Sequence, residues 1–372
     1  VIIVLALAML ALRASLPDLE GEFPVDGIVA AVSIERDASG IPVISASNRA
    51  DLAFATGFAH GQDRFFQMDL IRREAAGELA EIVGSAAVDR DKRNRFHRFR
   101  SRAQTVIANA AEADRAILVA YAKGVNAGLQ SLDARPFEYF VLGSEPKPWT
   151  PEDSVLVVFA MYVQLNDERA IKDVRRGLAN RVLPEQVYKW LYPQGTPWDA
   201  PLMGEPRAVL AIPDADTYSI RGVRDNAPPA NEQGRYPLRG SNNWAVSGAL
   251  TADGRAIVSN DMHLGLNTPN IYYQARLVID DVAGIDVAGV TLPGTPFVIA
   301  GSNTHVAWGF TNSYGDWSDA VVLKPGAAPN TYKTPEGDQE FAVHHELIQV
   351  KDSDPVPFRI RETIWGPVLD DV

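Results

Sequence analysis

The order of segments along the chain predicts an α+β fold in which layered sheets carry helices on their outer side. Helical patterns dominate as far as Leu191, and a polar stretch rich in proline continues to Gly240. Short segments with β-type patterns take over from Ser241. Helices first and strands afterwards are typical of sheets with helices packed against them. A chain of 372 residues is expected to bury two hydrophobic cores or one very large core.

The first half contains a predicted hairpin and three predicted helical segments. Alternating VSIERD, a turn at residues 38–40 and the segment IPVISA indicate two paired strands. A helix follows with Asp51 as its N-cap, and its apolar side chains continue to Gly84. Two further helices are predicted for residues 112–132 and 153–192, separated by the segment EPKPWTPED.

The second half is predicted to be mainly β-structure that follows an exposed linker. The stretch RGVRDNAPPANEQGRYPLRG lacks long apolar runs and is typical of a linker. The segments after it that have strand-like patterns are NNWAVSG, RAIVSND, IYYQARLVI, DVAGVTL, HVAWGF, DAVVL, FAVHHELIQV and PVPFRIRETIW. The chain contains no internal repeat.

Composition excludes several kinds of chemistry. The chain has no cysteine, which excludes disulfides, thiolate metal sites and a cysteine nucleophile. Its net charge of -12 disfavours nucleic acid as a partner, because phosphate binding depends on clustered cations. Residues 90–102 are nevertheless dense in arginine, with Phe96 and Phe99 between the cations. This segment is interpreted as a solvated, partly ion-paired surface, with a nucleic-acid stripe as the alternative.

The first twelve residues, VIIVLALAMLAL, are wholly apolar. They are too short to span a bilayer, which needs about 20 residues, but they match the apolar part of a secretory signal. We therefore expect residues 1–23 to be a signal peptide or the remnant of a membrane anchor, and the protein to be exported to the periplasm or anchored facing it. A buried apolar stretch is the alternative. No Met stands at position 1, which indicates a fragment.

Common hydrolase signatures are absent from the sequence. There is no G-x-S-x-G, no H-E-x-x-H, no P-loop and no G-x-G-x-x-G. Ser144 and Lys147 have S-x-x-K spacing, but Pro146 disrupts the helical turn that would bring them together. The chemistry must therefore come from another arrangement.

Ser241 directly follows a glycine where the linker meets the first strand, in the string RGSNNWAVSG. Its hydroxyl can attack the preceding carbonyl if the peptide is strained, because glycine tolerates backbone conformations closed to other residues. Cleavage would give Ser241 a free α-amine, whose ordinary pKa is about 7.7 to 8.0. That amine can serve as a general base on its own hydroxyl. An ordinary turn at Gly240-Ser241 is the alternative.

Five groups of residues stand in a fixed order along the chain. The helical block GFAHGQDRFFQM comes first, followed by the string SNNW that begins at Ser241 and then by NDMHL. LPGTP with GSN, and AWGFTN with two aspartates in the string DWSD, come last. In these motifs, over about residues 24–372, the chain resembles the penicillin acylase family of N-terminal-nucleophile hydrolases, which includes acyl-homoserine-lactone and cephalosporin acylases.

The resemblance implies a four-layer αββα sandwich with a largely helical α-chain part. Residues 24–222 would form the α-chain region, residues 223–240 a spacer, and residues 241–372 the N-terminal part of the β chain. Cleavage between Gly240 and Ser241 would leave the two chains associated as a heterodimer. The family's β chain is longer than the residues after Gly240, so the β part is expected to be incomplete.

The resemblance also implies roles for particular residues. Ser241 matches the nucleophile, and its own amine matches the base. His263 matches the position that orients the amine and the substrate, with a hydrogen-bonded strand-end histidine as the alternative. Asn312 matches the residue whose backbone N–H helps to form the oxyanion hole. A second oxyanion donor would lie beyond Val372, so this chain alone is not expected to be a competent catalyst. No organic cofactor is implied.

A calcium site is implied by the two aspartates that follow AWGFTN. Asp316 and Asp319 match family carboxylate ligands, and Ser318 could supply a carbonyl. The family's α-chain ligand is a glutamate, but the matching position here is Ile171, so Asp173 is the nearest substitute. Asp167 and Glu168 are further candidates. Two aspartates that simply face the solvent are the alternative.

The acyl pocket is implied by spacing alone. Met161 and Leu165 match helix residues that line it, and Leu264, Val298 and Ile299 would line it from the β side. Plain core positions are the alternative for each of the five. The aliphatic side chains at Leu165 and Leu264 favour an acyl chain over a phenylacetyl group.

Together these features predict a serine amidohydrolase that activates itself by autoproteolysis. Its substrate would be a small N-acylated molecule, such as a penicillin-type β-lactam or an N-acyl homoserine lactone. The alternative is a processing-deficient, calcium-stabilised extracellular binding protein without catalysis. Nucleic acid is not expected as a partner, and contact with a membrane is expected only through the N-terminal segment.

Overall fold

A computed structural model describes the chain at residues 9–166, 169–195, 203–205, 209–219, 241–279, 284–312 and 315–369. The chain divides into two compact units. The first comprises residues 1–165, 240–313 and 324–372, and the second comprises residues 166–239 and 314–323. The predicted linker at residues 223–240, with Gly240, lies outside the described residues, as do residues 1–8.

Between residue 48 and the linker, the described part of the first unit contains seven helices. They are α1 (Arg49–Ala76), α2 (Ala80–Val83), α3 (Val88–Arg95), α4 (Phe99–Asn109), α5 (Glu112–Gln130), α6 (Phe137–Leu142) and α7 (Pro151–Leu165). Residues 9–14 are also helical. Within the described residues, no helix is both long and apolar enough to cross a membrane. The helix predicted for residues 112–132 is confirmed as α5.

Helix α1 begins after Asn48, so the prediction of Asp51 as its N-cap is wrong. The Asn48 side chain accepts a hydrogen bond from the Asp51 backbone N–H at 2.9 Å. The Asp51 carboxylate accepts instead from the backbone N–H groups of Val29 and Ala30, at 2.9 Å and 3.0 Å. The Asn48 amide also donates to this carboxylate at 2.7 Å, but its two backbone partners are distant in the sequence, which is why a local pattern assigns this aspartate the wrong role. The helix ends at Gly77 in the left-handed conformation, earlier than Gly84.

Helices α1 and α5 pack so closely that backbone meets backbone. Each helix contributes two glycines four residues apart, which places them on one side of that helix. A Cβ added to any of them would lie 1.9–2.3 Å from a carbonyl oxygen of the other helix: Gly57 from Tyr121, Gly61 from Val125, Gly124 from Phe54 and Gly128 from Phe58. Only glycine fits this crossing.

The main sheet of the first unit is six-stranded, with the order β1-β2-β5-β6-β7-β8. Its strands are β1 (Ser33–Arg36), β2 (Pro42–Ala46), β5 (Tyr273–Ile279), β6 (Ile285–Thr291), β7 (Val298–Ser302) and β8 (Ala307–Trp308). The predicted hairpin is confirmed as β1 paired with β2. β2 pairs with β5 in parallel, and all other neighbours are antiparallel. The sheet thus joins strands from both sides of the linker.

Helix α1 covers one face of this sheet. Leu52, Ala55 and Ala59 pack in one buried cluster with Ile44 of β2 and Tyr273 of β5. These contacts form a helix layer on a sheet layer, which establishes the mixed α and β content of the predicted fold class. They do not include the other two layers of a four-layer sandwich.

A buried histidine links α1, α5 and the sheet. His60 is fully buried, and its Nε2 lies 2.9 Å from the hydroxyl of Thr291. That hydroxyl donates to the Tyr273 carbonyl, so Nε2 is the donor. Nδ1 accepts from the Tyr121 hydroxyl at 2.7 Å, and that oxygen accepts from the Gly294 N–H. Burial and then the charge of Arg64 lower the pKa of His60 from 6.5 to about 3.

The basic segment at residues 90–102 is folded onto the protein, not extended as a stripe. Phe96 and Phe99 are buried, so their rings are not presented to bases. Arg98 and Arg102 pair with Glu362, and Arg100 pairs with Glu78 and Asp153. The expectation of ion pairing is confirmed, whereas the expectation of a mainly solvated segment is wrong because long-range carboxylates bind its arginines.

The remaining strands form smaller sheets of the first unit. They are β3 (Ser241–Val246), β4 (Ile257–Met262), β9 (Thr331–Thr334), β10 (Gly337–Glu340), β11 (Ala342–Val350), β12 (Ser353–Thr363) and β13 (Gly366–Pro367). The strand predicted for DAVVL is wrong, since residues 319–323 have no regular structure. The hairpin of β9 and β10 was not predicted.

The second unit contains helices α8 (Ile171–Val182) and α9 (Glu185–Leu191). The helical structure predicted for residues 153–192 is confirmed, but it is divided between α7, α8 and α9 and is not one continuous helix. The chain leaves the helical conformation after Leu165, and Ala170 before α8 has a φ of 48°. Pro184 then precedes α9, where its fixed φ suits the start of a helix.

Candidate active site

Ser241 is the first residue of β3, which pairs antiparallel with β4. The register places Ser241 opposite Met262, and His263 follows directly. Gly248 allows the connection between the strands to fold tightly, because a Cβ there would lie 2.2 Å from the Gly254 carbonyl oxygen. The hairpin thus brings the predicted nucleophile and the predicted orienting histidine to the same end of two paired strands.

The carboxylate of Asp261 connects the two strands at this end. Its Oδ1 accepts from the backbone N–H of Asn242 at 2.8 Å, and its Oδ2 accepts from the Asn242 side-chain amide at 3.2 Å. The Nε2 of His263 lies 3.0 Å from the same Oδ2. Hydrogen bonds from Asn242 and then from His263 lower the pKa of Asp261. Asp261 is therefore ionised at neutral pH.

The side chain of Asn260 ties the hairpin to the segment at residues 307–312. Its amide donates to the Asn242 carbonyl at 3.0 Å and to the Phe310 carbonyl at 3.1 Å. Its oxygen accepts from the Phe310 N–H at 3.2 Å. The Asn243 amide also donates to the Gly309 carbonyl. A Cβ at Gly309 would lie 2.6 Å from the Asn260 side chain, so glycine permits this approach.

Asn312, the predicted oxyanion residue, lies two positions beyond Phe310. Its side-chain amide donates to the Leu165 carbonyl at 2.8 Å, which holds the end of α7 against this segment. Ser241, His263 and Asn312 are therefore carried by elements that are hydrogen-bonded to one another. The oxyanion role of the Asn312 backbone N–H stays a prediction.

The five predicted pocket residues are all partly buried, but they are divided between different surroundings. Met161 and Ile299 pack against one core cluster, and Val298 packs against the cluster beneath α1. Leu165 is held through its carbonyl, and the N–H of Leu264 donates to the Met262 carbonyl at 2.8 Å. Met161 and Ile299 thus share one core cluster, and the pocket role of all five stays a prediction.

Met161 also lines a cavity of about 1340 Å³. Polar side chains of α1 form part of its wall, with Arg64 donating to the Gln67 amide oxygen and to the Asn270 carbonyl. Asp63 accepts from Arg36 and from the Tyr273 hydroxyl. Neither Ser241 nor His263 lines this cavity.

The candidate calcium ligands belong to the second unit. Asp316 and Asp319 are exposed, whereas Ser318 and Asp173 are partly buried. Among residues that the structure describes, no three acidic or histidine side chains come close enough together to hold one metal ion. Calcium needs six to eight oxygen ligands, so the described residues fit such an ion only in part. Asp167 and Glu168 lie outside the described residues.

A family model for penicillin amidase matches residues 31–372, which is most of the chain. The chain belongs to the penicillin amidase family. Among curated penicillin amidase relatives, the acyl-homoserine lactone acylase QuiP of Pseudomonas aeruginosa is 32% identical over 96% of this chain and 42% of its own length. The penicillin acylase 2 proenzyme of Pseudomonas sp. strain SE83 is 34% identical over 96% of this chain and 46% of its own length.

The chain therefore spans less than half of the length of these two relatives. A solved structure of a thermostable penicillin G acylase from Alcaligenes faecalis is 28% identical, covering 48% of this chain and 100% of that chain with a TM-score of 0.40. The assignment to the penicillin amidase family rests on the sequence comparisons and not on this superposition.

Two residues of this candidate site received no role from the sequence. Asn260 and Asp261 lie within the motif NDMHL, which was used only to locate His263. Their hydrogen bonds reach Asn242 and Phe310, and the partner at Phe310 is 50 positions away. A pair of polar residues beside a predicted catalytic histidine was a signal that could have identified them.

Proposed function

We propose that the full-length protein is a serine amidohydrolase that cuts itself between Gly240 and Ser241 and then hydrolyses the amide bond of a small N-acylated substrate. The observation that carries this proposal is the hydrogen-bonded assembly of β3, His263 and the segment at residues 307–312. Membership of the penicillin amidase family supports it, and so do two relatives that are named as acylases.

The chemistry requires only groups of the protein and water. The free α-amine of Ser241 takes the proton from its own hydroxyl, whose oxygen attacks the acyl carbonyl. The α-amine then gives this proton to the departing nitrogen as the amide bond breaks and an acyl-serine ester remains. Water attacks the ester, its proton passes through the α-amine to the serine oxygen, and the carboxylic acid leaves.

His263 and Asn312 assist without forming covalent bonds to the substrate. His263 orients the α-amine and the substrate through hydrogen bonds. The backbone N–H of Asn312 donates to the oxygen that becomes negative in the transition state. A donor of this kind typically contributes about 3 to 4 kcal/mol to transition-state stabilisation.

The substrate we infer is an N-acyl homoserine lactone with an aliphatic acyl chain, with penicillins as the second group. The relative from Pseudomonas aeruginosa is named for the first activity and that from strain SE83 for the second. Aliphatic residues at Leu165 and Leu264 favour an acyl chain over a phenylacetyl group. Rates for homoserine lactones of increasing chain length, compared with penicillin G, test this order.

A Ser241→Ala variant of the full-length protein tests the mechanism. It should remain one chain on a denaturing gel and lose all turnover, whereas the wild type should give two chains, one of which begins at Ser241. Ser247→Ala is the matched control, because Ser247 lies on the same hairpin and, among the described residues, its hydroxyl accepts only from the Ala249 N–H. Turnover that persists in Ser241→Ala would overturn the mechanism, and an uncut wild type would favour the binding homologue.

The two chains are proposed to stay together as a heterodimer after cleavage. The six-stranded sheet supports this, because β2 precedes the cut and pairs with β5, which follows it. The four-layer αββα sandwich is the architecture that we propose for the complete protein. Co-elution of the two chains from gel filtration in the absence of denaturant tests the heterodimer.

Calcium binding at Asp316 and Asp319 also remains a proposal, and no step of the chemistry depends on it. Carboxylates three residues apart, with the Ser318 carbonyl between them and Asp173 from α8, are oxygen ligands of the kind that calcium prefers. Added calcium should raise the thermal midpoint of the wild type but not of Asp319→Asn. An equal response in both proteins would exclude this site.

Export is proposed from the apolar N-terminal segment. The protein would lie in the periplasm, or be anchored facing it, because residues 1–12 match the apolar part of a secretory signal. Fractionation of cells that produce the full-length protein tests this, and recovery from the cytoplasm alone would contradict it.

A further inference from the structure

Three polar side chains meet on one face of the β3–β4 hairpin. Asp261 and His263 are two residues apart, so the pleat of extended chain directs both to the same face. Asn242 lies opposite Asp261 in the register and belongs to that face too. Asn242, one of the three, is the residue next to Ser241 in the chain.

The Asp261 carboxylate uses both of its oxygens in this group. Oδ1 accepts a hydrogen bond from the backbone N–H of Asn242, while Oδ2 accepts from both the Asn242 side-chain amide and the His263 ring. An ionised carboxylate is suited to several donors, because it only accepts hydrogen bonds. An asparagine at position 261 would have only one accepting oxygen, and its NH₂ group would face one of the N–H donors that now bind the carboxylate.

The same contact determines where the proton of His263 lies. Since the carboxylate cannot donate, the ring must donate, and its proton is therefore on Nε2. When the ring carries this one proton alone, its Nδ1 atom has a lone pair. A lone pair at this atom can accept a hydrogen bond from an N–H group, such as the α-amine of Ser241 or the amide nitrogen of a substrate.

The geometry points to Asp261 as a positioning residue of the reaction, which fixes the ring orientation and the tautomer of His263. This assignment rests on the proposed function, because Asp261 can position His263 for the reaction only if Ser241 is the nucleophile. Asp261 itself does not touch the reacting atoms. It acts through His263.

A double-mutant cycle in the full-length protein tests this assignment. Asp261→Asn should lower kcat by about tenfold or more, as expected when an orienting carboxylate of a functional histidine is lost. In a His263→Gln background the same change should lower kcat by less than about twofold, because the ring that it positions is gone. Asp261→Glu, which keeps the charge, should recover part of the loss, and KM should change little in either single variant of Asp261.

The matched control is Asp253→Asn, in the turn of the same hairpin. Asp253 is also exposed and also accepts hydrogen bonds from a residue two positions on, Arg255, yet it lies away from Ser241. This variant should keep the wild-type kcat. A Ser241→Ala variant measured alongside shows whether the proposed function itself holds.

The outcomes separate the two claims. If Ser241→Ala is inactive while Asp261→Asn matches the wild type, the positioning role is overturned and the function stands. If Asp261→Asn lowers kcat equally with and without His263, the positioning role is also overturned, since the effect then does not depend on the His263 ring. If both Asp261→Asn and Asp261→Glu fail to fold, the role is structural and the assignment fails. Turnover in Ser241→Ala overturns the function.

Discussion

The crossing of α1 and α5 and the hairpin of β3 and β4 belong to the same compact unit but are stabilised in different ways. At the crossing, glycines bring two backbones into contact, and His60 is fully buried with both ring nitrogens hydrogen-bonded. At the hairpin, exposed or half-buried Asn and Asp side chains bind backbone groups, and Trp244 is 51% exposed. Steric fit dominates the first region and polar contacts dominate the second.

This difference predicts how each region tolerates change. A close backbone crossing has no room for an added atom, and a buried ring has no access to water. A polar hairpin loses one contact at a time, so single substitutions there should reduce function more than stability. The three predictions below use the Ser241→Ala background, in which the proposed mechanism leaves the chain uncut, so that it unfolds as one molecule.

The largest effect is expected at the helix crossing. Gly124→Ala places a Cβ 1.9 Å from the Phe54 carbonyl oxygen, and the helices must separate to admit it. Overpacking of this kind should lower the free energy of unfolding by about 3 kcal/mol or more. Gly177→Ala in α8 is the control, since a Cβ there meets nothing within 4 Å. It should raise stability by up to about 1 kcal/mol in urea denaturation. Similar effects of the two changes would contradict the close crossing.

An intermediate effect is expected from the titration of His60. Its folded pKa of about 3 lies below the ordinary 6.5, so the folded protein excludes a proton that the unfolded chain binds. The stabilisation is complete above pH 6.5 and is lost as the pH falls towards 3. Each pH unit within this window should therefore reduce the free energy of unfolding by about 1.4 kcal/mol.

The measurement is urea denaturation between pH 6.5 and pH 5, where carboxylates contribute little to the slope. His60→Gln keeps a donor and an acceptor but does not titrate, so its stability should depend less steeply on pH. Identical slopes in the two proteins would show that His60 is not held neutral.

The smallest effect on stability is expected in the hairpin. Asn260→Ala removes hydrogen bonds to Asn242 and Phe310 and should cost about 1 kcal/mol in urea denaturation. Asn109→Ala is the control, because in the part of the chain that the structure describes its amide binds only the Thr105 carbonyl within α4. It should stay within about 0.5 kcal/mol of its parent. With Ser241 intact, Asn260→Ala should nevertheless slow turnover. An unchanged rate would show that the hydrogen bonds of Asn260 do not support the reaction.

Regular local patterns predicted much of the fold. The β1–β2 hairpin and α5 follow from alternation and from helical periodicity. The errors arose where distant residues decide the local structure. The Asp51 carboxylate accepts hydrogen bonds from the backbone of Val29 and Ala30. The arginines after Arg90 form ion pairs with distant carboxylates. The break before α9 is a different case, because Pro184 was visible in the sequence.

The candidate site could be located from motifs but not assembled from them. The motif order identified Ser241, His263 and Asn312, but it could not show that Asn260 binds Phe310. Side-chain hydrogen bonds between a strand and a distant segment have no periodicity. The sequence also could not distinguish core positions from pocket positions at Met161 and Ile299, because both environments select apolar side chains.

The parallel pairing of β2 with β5 has a kinetic consequence for a protein cut before Ser241. In the uncut chain these strands are tethered, so closing the sheet is a first-order event. After the cut the same pairing becomes an encounter between two molecules, and the rate of reassembly rises with protein concentration. Refolding of the cut protein should follow second-order kinetics in dilute solution. A precursor cut only after folding would assemble its sheet while the two strands still share one chain.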